Sequence, residues 1–255
     1  MIELNDKRAL VVGVANDQSI AWGVAQALHR AGAKLAITYL NDKAEPHVRP
    51  LAESVDAAII MRLDVSKDEH EDPLFEEIKK VWGGLDILVH SIAFAPGADL
   101  HGRVIDSSAR GFATAMDISV HSFIRLARRA EPLMTNGGAC LPGDELLRGG
   151  EGRRELQYDG PVKAALEAAT RELAYELGQR NITVNTLSPG PMQTRAASGI
   201  ANFDNLMNEA IARSPMRRLA SIEDVGAAAA FLSSDIARNI TGEVLHVDAG
   251  RHIMS

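Results

Sequence analysis

Short apolar segments and amphipathic segments alternate along almost the whole chain, and this alternation restricts the fold more than any other feature of the sequence. The apolar segments are aliphatic or β-branched on both faces, as strands of a buried parallel sheet must be. They are predicted as strands at residues 9–14, 34–39, 57–63, 87–90, 183–188 and 243–247. The amphipathic segments have apolar residues at helical spacing, and they are predicted as helices at residues 20–31, 70–81, 108–134, 161–177 and 221–232. The order predicts an α/β fold of the doubly wound Rossmann type, with three layers and a parallel sheet between two layers of helices.

Size and composition predict one globular domain that spans residues 1–255. α/β folds of this length often form a single unit with one continuous core. Hydrophobic residues make up 46% and charged residues 24% of the chain, which argues against disorder. The N-terminus lacks the pattern of a secretory signal, and no apolar run reaches the roughly 18 residues that a membrane span requires. We therefore expect a cytoplasmic protein that does not associate with membranes.

Cysteine, histidine and charge argue against several kinds of site. The single cysteine, Cys140, excludes an intrachain disulfide and a multi-cysteine metal site, and it fits a reducing compartment. His90, His101 and His121 do not have the paired spacing of metal ligands on one helix, so no metal is expected. The net charge of −7 argues against general nucleic-acid binding.

One segment breaks the alternation. After Ala139-Cys140-Leu141, where the topology requires a central strand, residues 142–155 are rich in proline, glycine and charged residues. Proline lacks the amide hydrogen that a sheet needs, and glycine and aspartate are poor strand formers, so any strand must end near Leu141. The segment is predicted as a mobile charged loop, with an ordinary surface connection as the alternative.

Residues 13–23 join the first predicted strand to the first predicted helix and suit an anion. Gly13 lets the backbone approach a pyrophosphate, and Ser19 is a favourable N-cap residue. The start of the helix offers free amides and a partial positive charge. The glycines lack the close spacing of the dinucleotide fingerprint, so a plain turn capped by serine remains an equal alternative on spacing alone.

Five blocks of the sequence resemble the bacterial NADH-dependent enoyl-acyl-carrier-protein reductases, a divergent group of short-chain dehydrogenase/reductases. The blocks are residues 13–23, 90–97, 185–200, 222–225 and 241–248. They follow the order of the family over nearly the whole chain. The resemblance implies an NADH-dependent oxidoreductase of fatty acid biosynthesis. Its substrate would be an enoyl thioester on acyl carrier protein or coenzyme A, and its assembly a homotetramer packed through residues 119–134, residues 161–177 and the last strand.

The resemblance also implies which residues surround the cofactor. In chain order they are Gly13, Ala15, Ser19, Ile20, Asp64, Val65, Ser91, Ile92, Ala93, Lys163, Met192 and Thr194. The first four would lie around the pyrophosphate and its ribose, and the next two would face the adenine. The three residues at 91–93 and Lys163 would contact the riboses, and the last two would contact the nicotinamide carboxamide.

The choice between NADH and NADPH is normally made after the second strand, where an acidic residue binds the ribose hydroxyls or an arginine binds a 2′-phosphate. Residues 39–43 read Tyr-Leu-Asn-Asp-Lys and contain no arginine, which favours NADH. Lys43 keeps NADPH open as an alternative. Leu40 stands where the resembled enzymes usually have glutamine, which predicts weaker contacts with the adenosine.

The reaction centre departs from the resembled family. In that family a tyrosine hydroxyl binds the oxygen of the thioester while hydride reaches the β-carbon, and a lysine holds the nicotinamide ribose. Lys163 matches the lysine, but the two tyrosine positions fall on Leu146 and Leu156. Ordinary short-chain dehydrogenases would have the tyrosine at Asp159. Tyr158 is five residues before Lys163, a spacing of neither group, and it remains a candidate proton donor or a packing residue.

Residues 194–207 resemble the mobile segment that covers the acyl chain in the family. The candidate contacts with the acyl chain are Ala95, Ala196, Ile200, Phe203 and Leu206. Small residues suit a segment that orders when a ligand binds, and the apolar ones suit a tunnel. A surface helix is the alternative.

Three functions follow from this pattern. The first is an enoyl-thioester reductase with altered or weak activity, because the phenols are replaced by leucines. The second is a non-catalytic NAD-binding paralogue with a regulatory or assembly role. The third is a carbonyl reductase that uses Tyr158 together with Lys163.

Overall fold

Six parallel strands form the central sheet, in the spatial order β3-β2-β1-β4-β5-β6. The computed structural model describes residues 2–97, 103–143, 159–192 and 203–254, with only the backbone at 159 and 203–206. Within these ranges the strands of this sheet are β1 Arg8–Val12, β2 Lys34–Tyr39, β3 Ile59–Arg62, β4 Ile87–His90, β5 Gly138–Pro142 and β6 Ile182–Val184. β1 pairs with β2 on one side and with β4 on the other, so the strand order reverses between β1 and β4.

A second, two-stranded parallel sheet follows the central one. It consists of β7 Thr186–Pro189 and β8 Val244–Val247. A bridge between Gly143 and Leu187 joins β7 to the chain just after β5. The second sheet therefore extends the carboxyl side of the central sheet beyond β5.

The predicted strand 183–188 is wrong in one respect, because it divides into β6 and β7 at Asn185. The buried side chain of Asn185 donates to the carbonyl of Ile240 at 2.8 Å and accepts from the amide of Glu243 at 3.1 Å. Both partners lie just before β8. A side chain that satisfies backbone groups of another segment competes with regular strand pairing, and this competition is not visible in the apolar pattern.

Helices cover both faces of the sheet. They are α1 Ile20–Arg30, α2 Glu45–Ser54, α3 Glu71–Trp82, α4 Ala109–Met116, α5 Ser122–Ala130, α6 Asp159–Leu177, α7 Phe203–Arg213 and α8 Ile222–Leu232. Leu10 and Val12 of β1 pack with α3, α5 and α6, whereas Ala9 and Val11 pack with α1, α2 and α8. The predicted doubly wound α/β fold is confirmed. None of the described helices is long and apolar enough to cross a membrane.

The structure divides one predicted helix and contains two helices, α2 and α7, that are not among the predicted ones. The predicted helix 108–134 is divided by a π-helical turn at Asp117–His121 and ends in a 3₁₀ turn at Glu131–Leu133. α2 was not predicted, because it contains two prolines and buries only Val48 and Ala52. Its apolar face is too narrow to stand out as a helical pattern.

β5 ends at Pro142, as the composition of the following segment predicts. Pro142 is paired with His90 at the last position of the strand, where a missing amide costs least. The next amide, that of Gly143, donates to the carbonyl of His90 at 2.8 Å. The predicted mobile loop lies outside the described residues and stays a prediction.

The close crossing of α1 and α8 gives a test of the fold. A Cβ on Gly226 would lie 2.4 Å from the carbonyl oxygen of Gly23, so Gly226→Ala must push the two helices apart. We expect the free energy of unfolding, measured by urea denaturation, to fall by about 1–3 kcal/mol. Gly178→Ala is the control, since a Cβ there meets nothing within 4 Å. Equal denaturation midpoints for the two variants would contradict this packing.

Candidate functional site

A cavity of about 520 Å³ opens at the carboxyl ends of β1, β2, β4 and β5. Open α/β sheets bind ligands at this edge, in the crevice where the strand order reverses. The cavity brings together the predicted cofactor residues except Met192 and Thr194: Gly13, Ala15, Ser19, Ile20, Asp64, Val65, Ser91, Ile92, Ala93 and Lys163. Met192 is buried in the apolar core beside this edge, and Thr194 lies outside the described residues. The contacts of these residues with a ligand stay predictions.

Gly13 shapes the loop between β1 and α1. Its φ of 111° is unfavourable for any residue with a side chain. A Cβ at Gly13 would also lie only 1.9 Å from the carbonyl oxygen of Ser91. Glycine is therefore required here for two separate reasons, and it keeps the floor of the cavity open between β1 and β4.

Ser19 occupies the N-cap position of α1, but its side chain does not cap the helix. The hydroxyl donates to the carbonyl of Asn16 at 2.6 Å and accepts from the amide of Ala15 at 3.4 Å. The expectation that the Ser19 side chain caps α1 is wrong, because the hydroxyl closes the preceding loop instead. The first amides of α1 consequently have no side-chain cap, which is the arrangement that an anion at a helix start requires.

The end of β2 forms one side of the cavity through Thr38, Leu40 and Asn41. The Asn41 side chain accepts from the amides of Lys43 and Ala44, so it shapes the turn that leads into α2. Lys43 itself is exposed and is not among the residues that line the cavity.

A cation that the sequence reasoning missed lies beside this turn. Arg62 at the end of β3 is paired with Tyr39 across the sheet, and its guanidinium lies 3.3 Å from the carboxylate of Asp42. The register of β2 against β3 brings the two side chains together. Residues 39–43 do not point to Arg62, because a side chain from a neighbouring strand leaves no pattern in the sequence of the turn.

The segment after β3 forms the adjoining wall with Asp64, Val65 and Ser66. Asp64 is held in place, because its carboxylate accepts from both the amide and the hydroxyl of Ser66, at 3.1 and 2.6 Å. The amide of Asp64 donates to Nδ1 of His70 at 3.2 Å. The carbonyl of Val65 accepts from the guanidinium of Arg125 on α5.

The opposite wall is the segment after β4, which contains Ser91, Ile92, Ala93 and Phe94. Ser119 fixes this segment, since its hydroxyl accepts from the amide of Phe94 at 3.0 Å and donates to the carbonyl of the same residue at 3.3 Å. Ser119 belongs to the π-helical turn between α4 and α5. That turn is therefore part of the site and not a defect of the helix.

Lys163 lies in the second turn of α6, with 1% of its surface exposed, and its side chain lines the cavity. Lysine is rarely buried to this extent unless its charge is used. Its neighbour Val162 packs in the core cluster on the α6 side of the sheet, whereas α1 belongs to the cluster on the other side. The role of Lys163 as the lysine that holds a ribose stays a prediction.

The family model described as enoyl-(acyl carrier protein) reductase matches residues 13–252. The chain belongs to this family. An NADH-dependent enoyl-acyl-carrier-protein reductase of Nostoc sp. is 45% identical over 259 residues, which cover 100% of this chain and 99% of the relative.

Two solved structures of the family superpose closely on this chain. The reductase of Anaplasma phagocytophilum in complex with NAD has a TM-score of 0.89 and 41% identity, and the match covers 99% of this chain and 98% of that one. The reductase of Bacillus cereus in complex with NADP⁺ and an indole naphthyridinone has a TM-score of 0.93 and 43% identity, with 100% of both chains covered.

Several positions of the predicted reaction centre and of the predicted acyl-chain segment lie outside the described residues. They are Leu146, Leu156 and Tyr158, together with Ala196 and Ile200 of the segment predicted to cover the acyl chain. Phe203 and Leu206 belong to α7, but only their backbone is described. Ala95 packs against the core cluster on the α6 side of the sheet and does not line the cavity.

His90 is a fully buried imidazole at the end of β4, and sequence reasoning considered it only as a metal ligand. Its Nε2 lies 2.7 Å from the hydroxyl of Ser122, and that hydroxyl donates to the carbonyl of Ile118 at 2.6 Å. The serine has one hydrogen, which it gives to Ile118, so Nε2 must be the donor in its contact with Ser122. Burial and the charge of Lys163 lower the pKa of His90 to about 3. In the described ranges no group of three His, Cys, Asp or Glu side chains could hold a metal ion.

His90 predicts how the free energy of unfolding of this protein changes at acidic pH. The imidazole of an unfolded chain takes up a proton below about pH 6.5, whereas His90 in the folded protein stays neutral down to about pH 3. The unfolded state therefore binds more protons in this window, and stability falls as the pH is lowered through it. We expect His90 to contribute a slope of up to about 1.4 kcal/mol per pH unit between pH 6 and 5.

Urea denaturation of His90→Asn at several pH values measures this slope. The variant should be less stable at neutral pH but should lose less stability than the parent on going from pH 6 to pH 5. His47→Asn, at an exposed position of α2, is the matched control and should keep the parental slope. A parental slope in His90→Asn would show that His90 is not the group responsible.

Proposed function

We propose that this chain is an NADH-dependent enoyl-thioester reductase of fatty acid biosynthesis, with altered or weak activity. The observation that supports this most directly is the cavity at the reversal of strand order, which combines the glycine-floored loop, the uncapped start of α1 and the buried Lys163. Membership of the family supports the reaction, since the relatives carry the name of that enzyme.

The residues of the cavity fit a dinucleotide. The missing side chain at Gly13 and the free amides of α1 suit a pyrophosphate. One wall of the cavity has the polar segment at Asp64, which suits one end of the dinucleotide. The opposite wall has the apolar side chains of Ile92 and Ile118, which suit the other end. When bound, NADH supplies the hydride that reduces the β-carbon of the thioester.

Lys163 would hold the nicotinamide ribose and place a positive charge near the thioester oxygen. Stabilising charge that develops on an oxygen in a water-poor site is commonly worth about 3 kcal/mol per donor. Ser119 would keep the segment 91–94 in place by binding both polar groups of the Phe94 backbone. Each of these residues binds or orients, and none supplies the phenol of the family.

NADH is the proposed cofactor, as in the relatives whose names specify NADH. The carboxylate of Asp42, which follows the lining residue Asn41, would repel a 2′-phosphate and supports this choice. Arg62 lies against that carboxylate at 3.3 Å and partly offsets it, so NADPH is the alternative. The complex of the Bacillus cereus relative with NADP⁺ gives that alternative a second support.

The weak activity is proposed from the sequence, because Leu146 and Leu156 replace the family tyrosines. Both positions come before Asp159, the first residue of α6, where the described structure begins again. The proposal of weak activity therefore rests on residue types and not on the geometry of these positions. The non-catalytic paralogue and the carbonyl reductase that uses Tyr158 remain the other two candidates, and the experiments below distinguish them.

We also propose one domain over residues 1–255, a homotetramer and an acyl-carrier or coenzyme A thioester as substrate. β8 is half-buried along its whole length in the single chain, and Tyr175 on α6 is 82% exposed, which supports contacts of these elements with other copies. A cytoplasmic location is supported by Cys140. This thiol is buried and free, and burial raises its pKa to about 12, so it is unreactive.

Replacement of the buried lysine tests the site and the function together. We expect Lys163→Met to weaken NADH binding about tenfold or more, because a charge-assisted hydrogen bond to the ribose is lost. NADH fluorescence titration measures the binding, and NADH oxidation with crotonyl-coenzyme A measures the turnover of the same sample. Lys80→Met, at an exposed position of α3, should change neither. NADH binding without turnover in the parent protein would favour the non-catalytic paralogue.

Restoring the phenol tests the proposed cause of weak activity. Leu156→Tyr should raise kcat with the thioester about 100-fold, the amount that one oxyanion donor usually supplies. Leu156→Phe is the control, since it adds the ring without the hydroxyl. No difference between these two variants would count against the proposal. Loss of ketone reduction in Tyr158→Phe would instead support the carbonyl reductase.

A further inference from the structure

A buried carboxylate lies behind the wall formed by residues 64–66. Glu71, at the first position of α3, is 0% exposed and faces two arginines of α5. Nε of Arg125 donates to one of its oxygens at 2.9 Å, and Nη1 of Arg129 lies 2.8 Å from the other. A buried carboxylate is costly unless it is paired in this way, so loss of either arginine is expected to destabilise the fold.

Arg125 makes further contacts that Arg129 does not make. Its Nη1 donates to the carboxylate of Asp117 at 2.8 Å, and its Nη2 donates to the carbonyl of Val65. One planar guanidinium thus joins three elements: α3, the π-helical turn and the segment after β3. Its side chain is only 13% exposed, and the three acceptors leave it little freedom.

The contact with Val65 reaches the cavity from behind. Asp64, Val65 and Ser66 all line the cavity, and the carboxylate of Asp64 is already engaged by Ser66. The described hydrogen bonds that tie this segment to the rest of the protein include two of its backbone groups. The amide of Asp64 donates to His70, and the carbonyl of Val65 accepts from Arg125. Of the two partners, His70 and Arg125, only Arg125 is a guanidinium cation.

The wall lies on the adenine side of the cavity. It follows β3, the outermost strand beyond β1 and β2, whereas the charge of Lys163 acts on His90 at the end of β4. In a doubly wound fold the pyrophosphate lies at the start of the first helix, and the adenosine extends toward the strands on the β2 side.

We infer that Arg125 is a positioning residue for the adenine half of the nucleotide: it holds the Val65 carbonyl, and with it the wall of residues 64–66, in the shape that accepts the base. The inference rests on the proposed function, in which this cavity binds a dinucleotide. Arg125 touches no part of the cavity itself, since it is not among the lining residues. It acts on the wall through Val65 and Glu71, and its bond to Asp117 also holds the π-helical turn.

Arg129 provides a matched control within the same cluster. It binds Glu71 and also the carboxylate of Asp72 at 2.7 Å. Arg125→Met and Arg129→Met each remove one arginine from the buried carboxylate, so both should lower the midpoint of thermal unfolding. Only Arg125→Met releases the carbonyl of Val65.

Two fragments of the cofactor separate the adenine half from the nicotinamide half. ADP-ribose contains the adenine and is measured by isothermal titration calorimetry. Reduced nicotinamide mononucleotide lacks the adenine and is measured by its fluorescence. We expect Arg125→Met to weaken ADP-ribose binding about tenfold, the effect of an open or displaced wall, and to leave the mononucleotide within twofold of the parent. Arg129→Met should leave both affinities within twofold.

The outcomes are distinguishable from those of the proposed function. Equal ADP-ribose affinities in the two variants, or an equal loss of both fragments in Arg125→Met, would overturn the inference while leaving the function untouched. A parent protein that binds neither fragment would overturn the function and the inference together. If Arg125→Met does not fold, Arg125→Lys and Arg129→Lys replace the pair. The lysine at 125 keeps a charge for Glu71 but cannot also reach Val65, so the same selective loss of ADP-ribose binding is expected.

Discussion

The close approach of β1 to the segment after β4 is the constraint on which the rest of the site depends. β1 pairs with β2 and β4 in parallel, and the strand order reverses between β1 and β4. At this point the chain turns into α1 on one side of the sheet and into segment 91–97 on the other, which opens a crevice. Only glycine is tolerated at position 13, because a Cβ there would lie 1.9 Å from the carbonyl of Ser91. The cavity exists because two backbones meet there without a side chain between them.

Around this crevice the protein buries ionisable groups that ordinary cores avoid. Lys163 and Glu71 are almost wholly inaccessible, and His90 is neutral because burial and Lys163 lower its pKa to about 3. Such groups cost folding free energy unless they are paired or used. Glu71 is paired with two arginines. One of them, Arg125, also binds the carbonyl of Val65 in the wall of the cavity. The cost of burial and the shape of the site are thus linked through the same side chains.

Much of the architecture was predictable because it depends on local patterns. The strand that ends at Pro142 follows from the lack of an amide hydrogen in proline, and the structure ends β5 there. The division of the predicted strand 183–188 was not predictable, since it depends on the hydrogen bonds of Asn185 to residues 240 and 243. The π-helical turn at Asp117–His121 was missed for a similar reason. Its role becomes visible only in the hydrogen bonds between Ser119 and the backbone of Phe94, 25 residues earlier in the chain.

The sequence alone determined the α/β class, the family and ten of the residues that line the cavity, because strand and helix periods and the ordered family blocks are local properties of the chain. Tertiary structure decided that Ser19 closes the loop and does not cap α1. It also decided that Arg62 lies beside Asp42, that His90 is a buried neutral donor to Ser122, and that Arg125 supports Val65 from α5. The last three are contacts between residues 20 to 60 positions apart, and the first is a choice between local hydrogen-bond partners of one hydroxyl. No pattern along the chain encodes them, since each depends on which elements the packed sheet brings together.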